Sequence, residues 1–440
     1  MADQTVSDAI VARMREWGVD RVFGYSGDGI NGVMIALDRT DGAVAFVQAR
    51  HEENAAFMAV GHAKYTGGVG VVVSTQGPGA IHLLNGLYDA KLDGVPVVAI
   101  VGQQALSVLG SEYMQEVNLL QLFSDVAAQF VQQVSAPEQI PLVIDRAFRT
   151  AIATRSPAVV IVPHDVQNMP AAKLEQEHGT VVTAAGAPRP EVLPSAADLD
   201  AAAGVLDAGS RVAILAGQGA RFAAEELVKL AERLGAGITT SLLGKPYVDE
   251  TLPFVAGTMG HLGTTASATV LGGCDTLLIV GSNDPWTEFY PRPGAARAVQ
   301  IDLDARHVGN RYPVEVGLVG DAAPTLRALL DRVEGGKGDE WRAEVEASVT
   351  EWRAIAAARA DVPAQPLNPE RAIRELSQRL PANAQLALDV GSVVYWYARQ
   401  LILPPGVPAH LSGTLASMGC GIPYGLAAKL ASPGRPVIVL

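Results

Sequence analysis

Two adjacent carboxylates, Glu52 and Glu53, follow His51 at the head of an apolar run, Ala55-Ala56-Phe57-Met58-Ala59. About twenty residues later Ser74-Thr75 leads into Gln76-Gly77-Pro78-Gly79. A carboxylate at a helix start is stabilised by the positive end of the helix dipole. Placed in an apolar cleft instead, its pKa rises and it can share a proton near neutral pH. Two readings are therefore open for this pair: dipole-compensating surface charges, or an acid that handles a proton. The second segment is a glycine-proline loop that follows a buried strand.

The elements that must position these residues are legible on either side. Val44–Val47, Val69–Val73, Val97–Val101 and Ala158–Val162 are short β-branched runs separated by helical patterns, the signature of a parallel sheet covered on both faces. The expected organisation is α/β, with three doubly wound parallel-sheet domains, the third truncated at its C-terminal end. Residues 1–170 form the first domain and 171–193 a polar, proline-containing linker ending in Gly186-Ala187-Pro188-Arg189-Pro190. Residues 194–335 form the central domain, opening on the strand Val212–Ala216 and the turn Gly217-Gln218-Gly219. The turn lacks the third glycine of a dinucleotide fingerprint, so spacing alone favours a plain tight turn. Residues 336–365 read as a solvated connector carrying an Ala/Arg/Glu helix and 366–440 as a partial third domain. The latter holds a strand at 385–391, a helix beginning at Met418 and a last strand at 437–440.

Composition narrows the function. The chain of 440 residues is 49% hydrophobic and 18% charged, with a net charge of −13, which disfavours a nucleic-acid phosphate surface. Cys274 and Cys420 offer neither a disulfide framework nor metal-ligand spacing and read as small buried residues. His51, His62 and His82 read as structural histidines. No signal peptide or membrane span is expected, and the cytoplasm is the default location.

The ordered series Val22–Gly32, His51-Glu52-Glu53, Gln76–Gly79, Asn85–Ala90, Pro96–Ile100, Tyr113–Glu116 and Ser135–Pro141 resembles the thiamine-diphosphate-dependent enzymes. The resembling branch contains pyruvate oxidase, quinone-dependent pyruvate dehydrogenase and acetolactate synthase. The resemblance implies that Glu52 is the catalytic glutamate, bonded to a nitrogen of the cofactor's aminopyrimidine ring. It implies that Ser26, Gly27, Gln76, Gly77, Pro78, Gly79, Asn85, Gln115, Gly391, Ser392 and Met418 contact thiamine diphosphate, Met418 as the wedge enforcing a folded cofactor. For Asn85 and Gln115 a buried structural hydrogen bond is the competing reading.

Residues 241–245, 257–264, 281–286, 300–304 and 319–321 resemble the flavin domain of pyruvate oxidases. That resemblance implies FAD near Gly217, Gly219, Leu242, Leu243, Gly260, Thr264, Asn283, Asp302 and Asp321. Trp286–Pro291 resembles the oxidase branch more than the synthase branch. The family's Gly-Asp-Gly and Asn ligands for Mg2+ do not follow Val437–Leu440, so the metal ligands are expected beyond Leu440. The resemblance implies decarboxylation of pyruvate or a similar 2-oxo acid with oxidation through FAD, in a homodimer or homotetramer. Acetolactate-synthase-like carboligation is one alternative; a non-catalytic flavin- or nucleotide-binding subunit is another. Any membrane contact would need sequence beyond Leu440.

Overall fold

The structure, a computed structural model, describes residues 4–173, 175, 177–186 and 189–440. Strands β1 (Arg21–Gly24), β2 (Ala45–Gln48), β3 (Gly70–Ser74), β4 (Val97–Gln103), β5 (Val131–Gln133) and β6 (Pro157–Pro163) build one sheet in the order β2-β1-β3-β4-β6-β5. Neighbouring strands are parallel. β3, β4 and β6 are buried along their whole length, as the unbroken valine runs require. Alternate side chains feed two cores: Val72, Ala99 and Val101 on one face, Val71, Val73, Val98 and Ile100 on the other. The chain leaves β1 toward β2 and then returns to place β3 on the opposite side of β1. The carboxyl ends of β1 and β3 thus flank a topological switch point, where parallel sheets open a crevice for ligands.

The second sheet repeats this logic. β7 (Val212–Ala216), β8 (Gly237–Thr240), β9 (Val255–Thr258), β10 (Thr276–Val280), β11 (Arg297–Asp302) and β12 (Val316–Val319) take the order β12-β11-β10-β7-β8-β9. They too are parallel, with the switch point between β7 and β10. A third sheet has three strands, β13 (Gln385–Ala387), β14 (Ala409–His410) and β15 (Val437–Val439), in the order β14-β13-β15. Two compact units result. One joins 1–189 to 386–390 and 410–440; the other joins 190–385 to 391–409.

The Glu52–Thr66 helix is the centre of the first unit. His51 accepts the Glu53 N–H at its start, and Gly67, at φ 75°, ends it in the left-handed region that glycine tolerates. It buries residues around its whole circumference, the pattern of a core helix rather than a surface one. Glycines permit this on three sides. A Cβ on Gly70 would lie 2.1 Å from the Ala59 carbonyl oxygen, one on Gly86 2.5 Å from Ala56 Cβ, and one on Gly61 3.1 Å from Ala427 Cβ.

Two expectations are corrected. The stretch read as a solvated connector contains the Asp339–Asp361 helix, which buries Trp341, Val345 and Val349 in the central core; Trp341 Nε1 donates to Val212 O at 2.9 Å. The helix expected to begin at Met418 runs Gly421–Ala431, leaving Met418 in the preceding turn. The linker is tied down in part: Arg13 donates to the Thr183 carbonyl at 2.6 Å, and Arg149 to that of Ala184. Ala187 and Pro188 of that linker lie outside the described residues. Among the described residues no helix is long and apolar enough to cross a membrane.

Candidate active site

The switch point of the first sheet gathers the segments that the sequence singled out. β1 runs into Ser26 and Gly27, β3 into Gln76–Gly79, and β2 through Ala49–His51 into Glu52. Glu52 is 8% exposed at the first helical position. Its Oε2 lies 2.9 Å from His82 Nδ1, and the His82 ring is 4.3 Å, centroid to centroid, from that of His51. Its Oε1 lies over Gly79, where a Cβ would come within 3.1 Å of it. Glycine at 79 leaves room for Ser74 Oγ and Thr75 Cγ2, each 2.8 Å from that Cβ, as well as for the carboxylate. The surroundings of Glu52 are two imidazoles and a glycine turn rather than the apolar cleft expected from sequence. His51, Glu52 and His82 each bring one ligand atom within 4.8 Å of the others, a set that can hold a cation.

Gln76 is buried and makes the loop a single assembly. Its Nε2 donates to Gln115 Oε1 at 3.0 Å and to Asp28 Oδ1 at 3.3 Å, while Thr75 Oγ1 donates to its Oε1 at 2.6 Å. A Cβ on Gly27 would strike Thr75, and one on Gly77 (φ 57°) would strike Gln115. Gln115 itself has φ 63°, a conformation that costs a non-glycine residue about 1–3 kcal/mol and clusters at ligand sites. Ser26 and Pro78 are exposed beside these contacts. Asn85 donates to Glu53 Oε1 and, at 2.8 Å, to Ser417 Oγ, one residue before Met418. Met418 is 74% exposed, so it is no core methionine.

Beneath this site lies a buried charge cluster absent from the sequence reading. Lys64 Nζ donates to Asp93 Oδ2 at 2.6 Å, and Tyr424 Oη to Asp89 Oδ2. Burial works against the Lys64 charge, but Asp89 and Asp93 outweigh it and raise its pKa. Desolvation pushes Asp89 up to about 6 despite Lys64 beside it. Cys420 is driven to about 12 by burial, as is Cys274, so both thiols are inert as read.

In the second unit the expected flavin residues occupy the carboxyl ends of consecutive strands: Gly217 and Gly219 after β7, Leu242 and Leu243 after β8, Gly260 and Thr264 after β9, Asn283 after β10, Asp302 ending β11 and Asp321 after β12. Their present duties differ. The Cβ space of Gly217 and Gly219 is filled by the backbone of Gly281, a tight interloop packing. Thr264 Oγ1 caps the following helix through the Ser267 N–H at 2.9 Å, and Asp321 accepts the Val192 N–H at 2.8 Å. Asn283 Oδ1 accepts from Arg311 Nε at 2.9 Å, and Asp302 Oδ1 from the Asp304 N–H at 2.9 Å. Gly260, at φ 82°, lies under the Trp286 ring. The sequence missed Thr240, Thr258 and Ser282, three buried hydroxyls at the ends of β8, β9 and β10 with no hydrogen-bond partner. A buried unpaired hydroxyl is costly, and a polar ligand at the strand ends would satisfy these three. Gly391, at φ 124°, and Ser392 begin a helix of this unit, Ser392–Gln400.

A buried glutamate at a switch point beside a glycine loop, with a second parallel α/β sheet following it in the chain, has the form of a ligand site in an α/β protein. Residues 4–122, 199–329 and 389–440 match the N-terminal, central and C-terminal domains of the thiamine pyrophosphate enzymes. The protein YdaP of Bacillus subtilis is 35% identical over all of this chain and 75% of its own length. Pyruvate oxidase of Lactiplantibacillus plantarum is 33% identical over 98% of the chain and 71% of its own length. The large subunit of acetolactate synthase isozyme 2 of Escherichia coli is 31% identical over 98% and 76%. The chain belongs to the thiamine pyrophosphate enzyme family.

Proposed function

We propose that Glu52 is the proton-handling acid of an enzyme that decarboxylates pyruvate or a similar 2-oxo acid and passes the electrons through FAD. The observation carrying this is the Glu52 carboxylate itself: buried at the switch point, oriented through Oε2 by His82, with Oε1 lying over Gly79. Bound thiamine diphosphate would supply the sink for the electron pair released with the departing carboxylate. Glu52 would hold and share a proton with a ring nitrogen through Oε1. His82 would keep that side chain in one rotamer and absorb part of its charge. Gln76, Gly77 and Gln115 would shape one wall, with Met418 presented from its turn. Mg2+ would neutralise the diphosphate through oxygen ligands supplied by sequence beyond Leu440.

For FAD, the unpaired hydroxyls of Thr240, Thr258 and Ser282 offer three donors along one sheet edge, and the similarity to a pyruvate oxidase supports the same reading. The similarity to acetolactate synthases supports carboligation as the second reading. A homodimer or homotetramer, and a cytoplasmic setting, belong to the same proposal.

Turnover of pyruvate with thiamine diphosphate, Mg2+ and an artificial electron acceptor tests it. Glu52→Gln should lower kcat by at least about a hundredfold, the range for a lost general acid–base group. Undiminished turnover would refute the assignment. Acetate or acetyl phosphate with reduced acceptor marks oxidation, and acetolactate marks carboligation.

A further inference from the structure

We propose that Asp93, held by Lys64, is a positioning residue that sets the 411–418 segment and through it Met418. The inference rests on the functional reading of Glu52 and Met418 given above. Asp93 is 1% exposed and spends both carboxylate oxygens on one strip of backbone: Oδ2 accepts the Gly413 N–H at 3.0 Å and Oδ1 the Thr414 N–H at 2.8 Å. Lys64 Nζ closes the arrangement from the other side, donating to Asp93 and, at 2.7 Å, to the Leu411 carbonyl. A buried ion pair is weak evidence of stability, so what this one does is read from the backbone groups it holds.

The strip so fixed is not relaxed. Ala416 is held at φ 59° and Gly419 at φ 95°, one on either side of Met418. Strain at a non-glycine residue persists only where its surroundings over-determine it. Here they do. The Ser417 N–H donates to Ser412 Oγ at 3.1 Å, its Oγ accepts from Asn85, and Asp389 Oδ1 accepts the Gly419 N–H at 2.7 Å. The product of these anchors is a methionine side chain 74% exposed on a rigid turn. An apolar side chain displayed on an immobilised, strained backbone is arranged to meet something other than the core. The same helix that begins at Glu52 carries Lys64, so the proton-handling carboxylate and the clamp share one rigid body.

The test compares Asp93→Asn, the double variant Asp93→Asn/Lys64→Met, and Glu52→Gln in the active enzyme, well below the unfolding temperature. The double variant removes the paired charges of Asp93 and Lys64 together and leaves Asp89, which burial already pushes toward its neutral form, bonded to Tyr424, so it keeps the test open where the single variant does not fold. Amide hydrogen exchange at Gly413 and Thr414 should accelerate at least about tenfold, with the β3 and β4 amides unchanged. At full occupancy by thiamine diphosphate, kcat should fall by about ten- to a hundredfold, the cost of a misplacement near 1 Å, while KM for pyruvate stays within about twofold. Loss of exchange protection without loss of kcat would overturn the positioning role, and so would unchanged protection. A fully active Glu52→Gln enzyme would instead overturn the functional reading, with the exchange data still reporting on the clamp.

Discussion

Replacing Gly86 by alanine is expected to weaken the first unit although it strengthens the helix that carries it. Gly86 lies inside the Leu84–Leu92 helix, where alanine is preferred by about 0.5–1 kcal/mol. Against this, the new Cβ would sit 2.5 Å from Ala56 Cβ and 2.9 Å from Ala56 C and Phe57 N. Non-bonded carbons rest about 3.5–4.0 Å apart, so the two helices must separate by roughly 1 Å. Helical backbone has no rotamer to turn aside, and overpacking of this kind costs about 1–3 kcal/mol. With overpacking in the upper half of that range, about 2–3 kcal/mol, the balance is a net loss of about 1–2.5 kcal/mol. Gly204→Ala is the matched control: it lies inside the Ala196–Ala208 helix with nothing within 4 Å of its Cβ, and should gain about 0.5–1 kcal/mol. Urea unfolding, with hydrogen exchange assigning each transition to its unit, measures both. Equal effects of the two substitutions, or a stabilising Gly86→Ala, would refute the close-approach argument.

Asp89 is raised to about 6 by burial, against an ordinary 3.8, so the unfolded chain gives up this proton first. Its contribution to stability is present below about pH 4 and lost as pH rises toward 6; Asp89→Asn should flatten that part of a stability–pH curve, and an unchanged curve would dismiss Asp89 as its source. Asp145 behaves oppositely. Burial would raise it, but Arg13, Thr183 and Trp17 hold it below the usual range, so its contribution exists above about pH 4 and fades in acid. Arg13→Met leaves that buried carboxylate with Trp17 and, at 4.0 Å, Arg149, and should cost about 1.5–3 kcal/mol in chemical denaturation, the range for a lost hydrogen bond to a charged group; a cost below about 1 kcal/mol would count against the pair. Cys274 and Cys420 should resist an aromatic disulfide reagent in the native protein at pH 8 and react only on unfolding; rapid native labelling would contradict their burial.

The buried strands were legible because a β-branched run has one use in a parallel sheet; Val212–Ala216 is a strand at the bounds read from sequence. β5, β8, β9, β12 and β14 were not read, being two to four residues long and, in β9 and β12, interrupted by glycine. Glu52 stood out through its local setting. His82 did not, since thirty residues separate it from Glu52 and only the fold brings them together. The solvated reading of 339–361 failed because its charges advertise the outer face while Trp341, Val345 and Val349 recur at helical spacing on the inner one. Lys64 left a signal that can be used elsewhere: a lone lysine in an apolar helix, followed by Asp89 and Asp93 one helical turn apart.

The Glu52–Thr66 helix has a consequence for which changes of length the protein can accept. Glu52 and Lys64 are twelve residues apart on it, about 18 Å along the axis. One residue inserted between them would advance Lys64 by about 1.5 Å and swing it by about 100°, away from Asp93 and Leu411. With neighbours packed on every side, the helix cannot rotate to compensate. Substitutions along it are negotiable one at a time; its residue count is not.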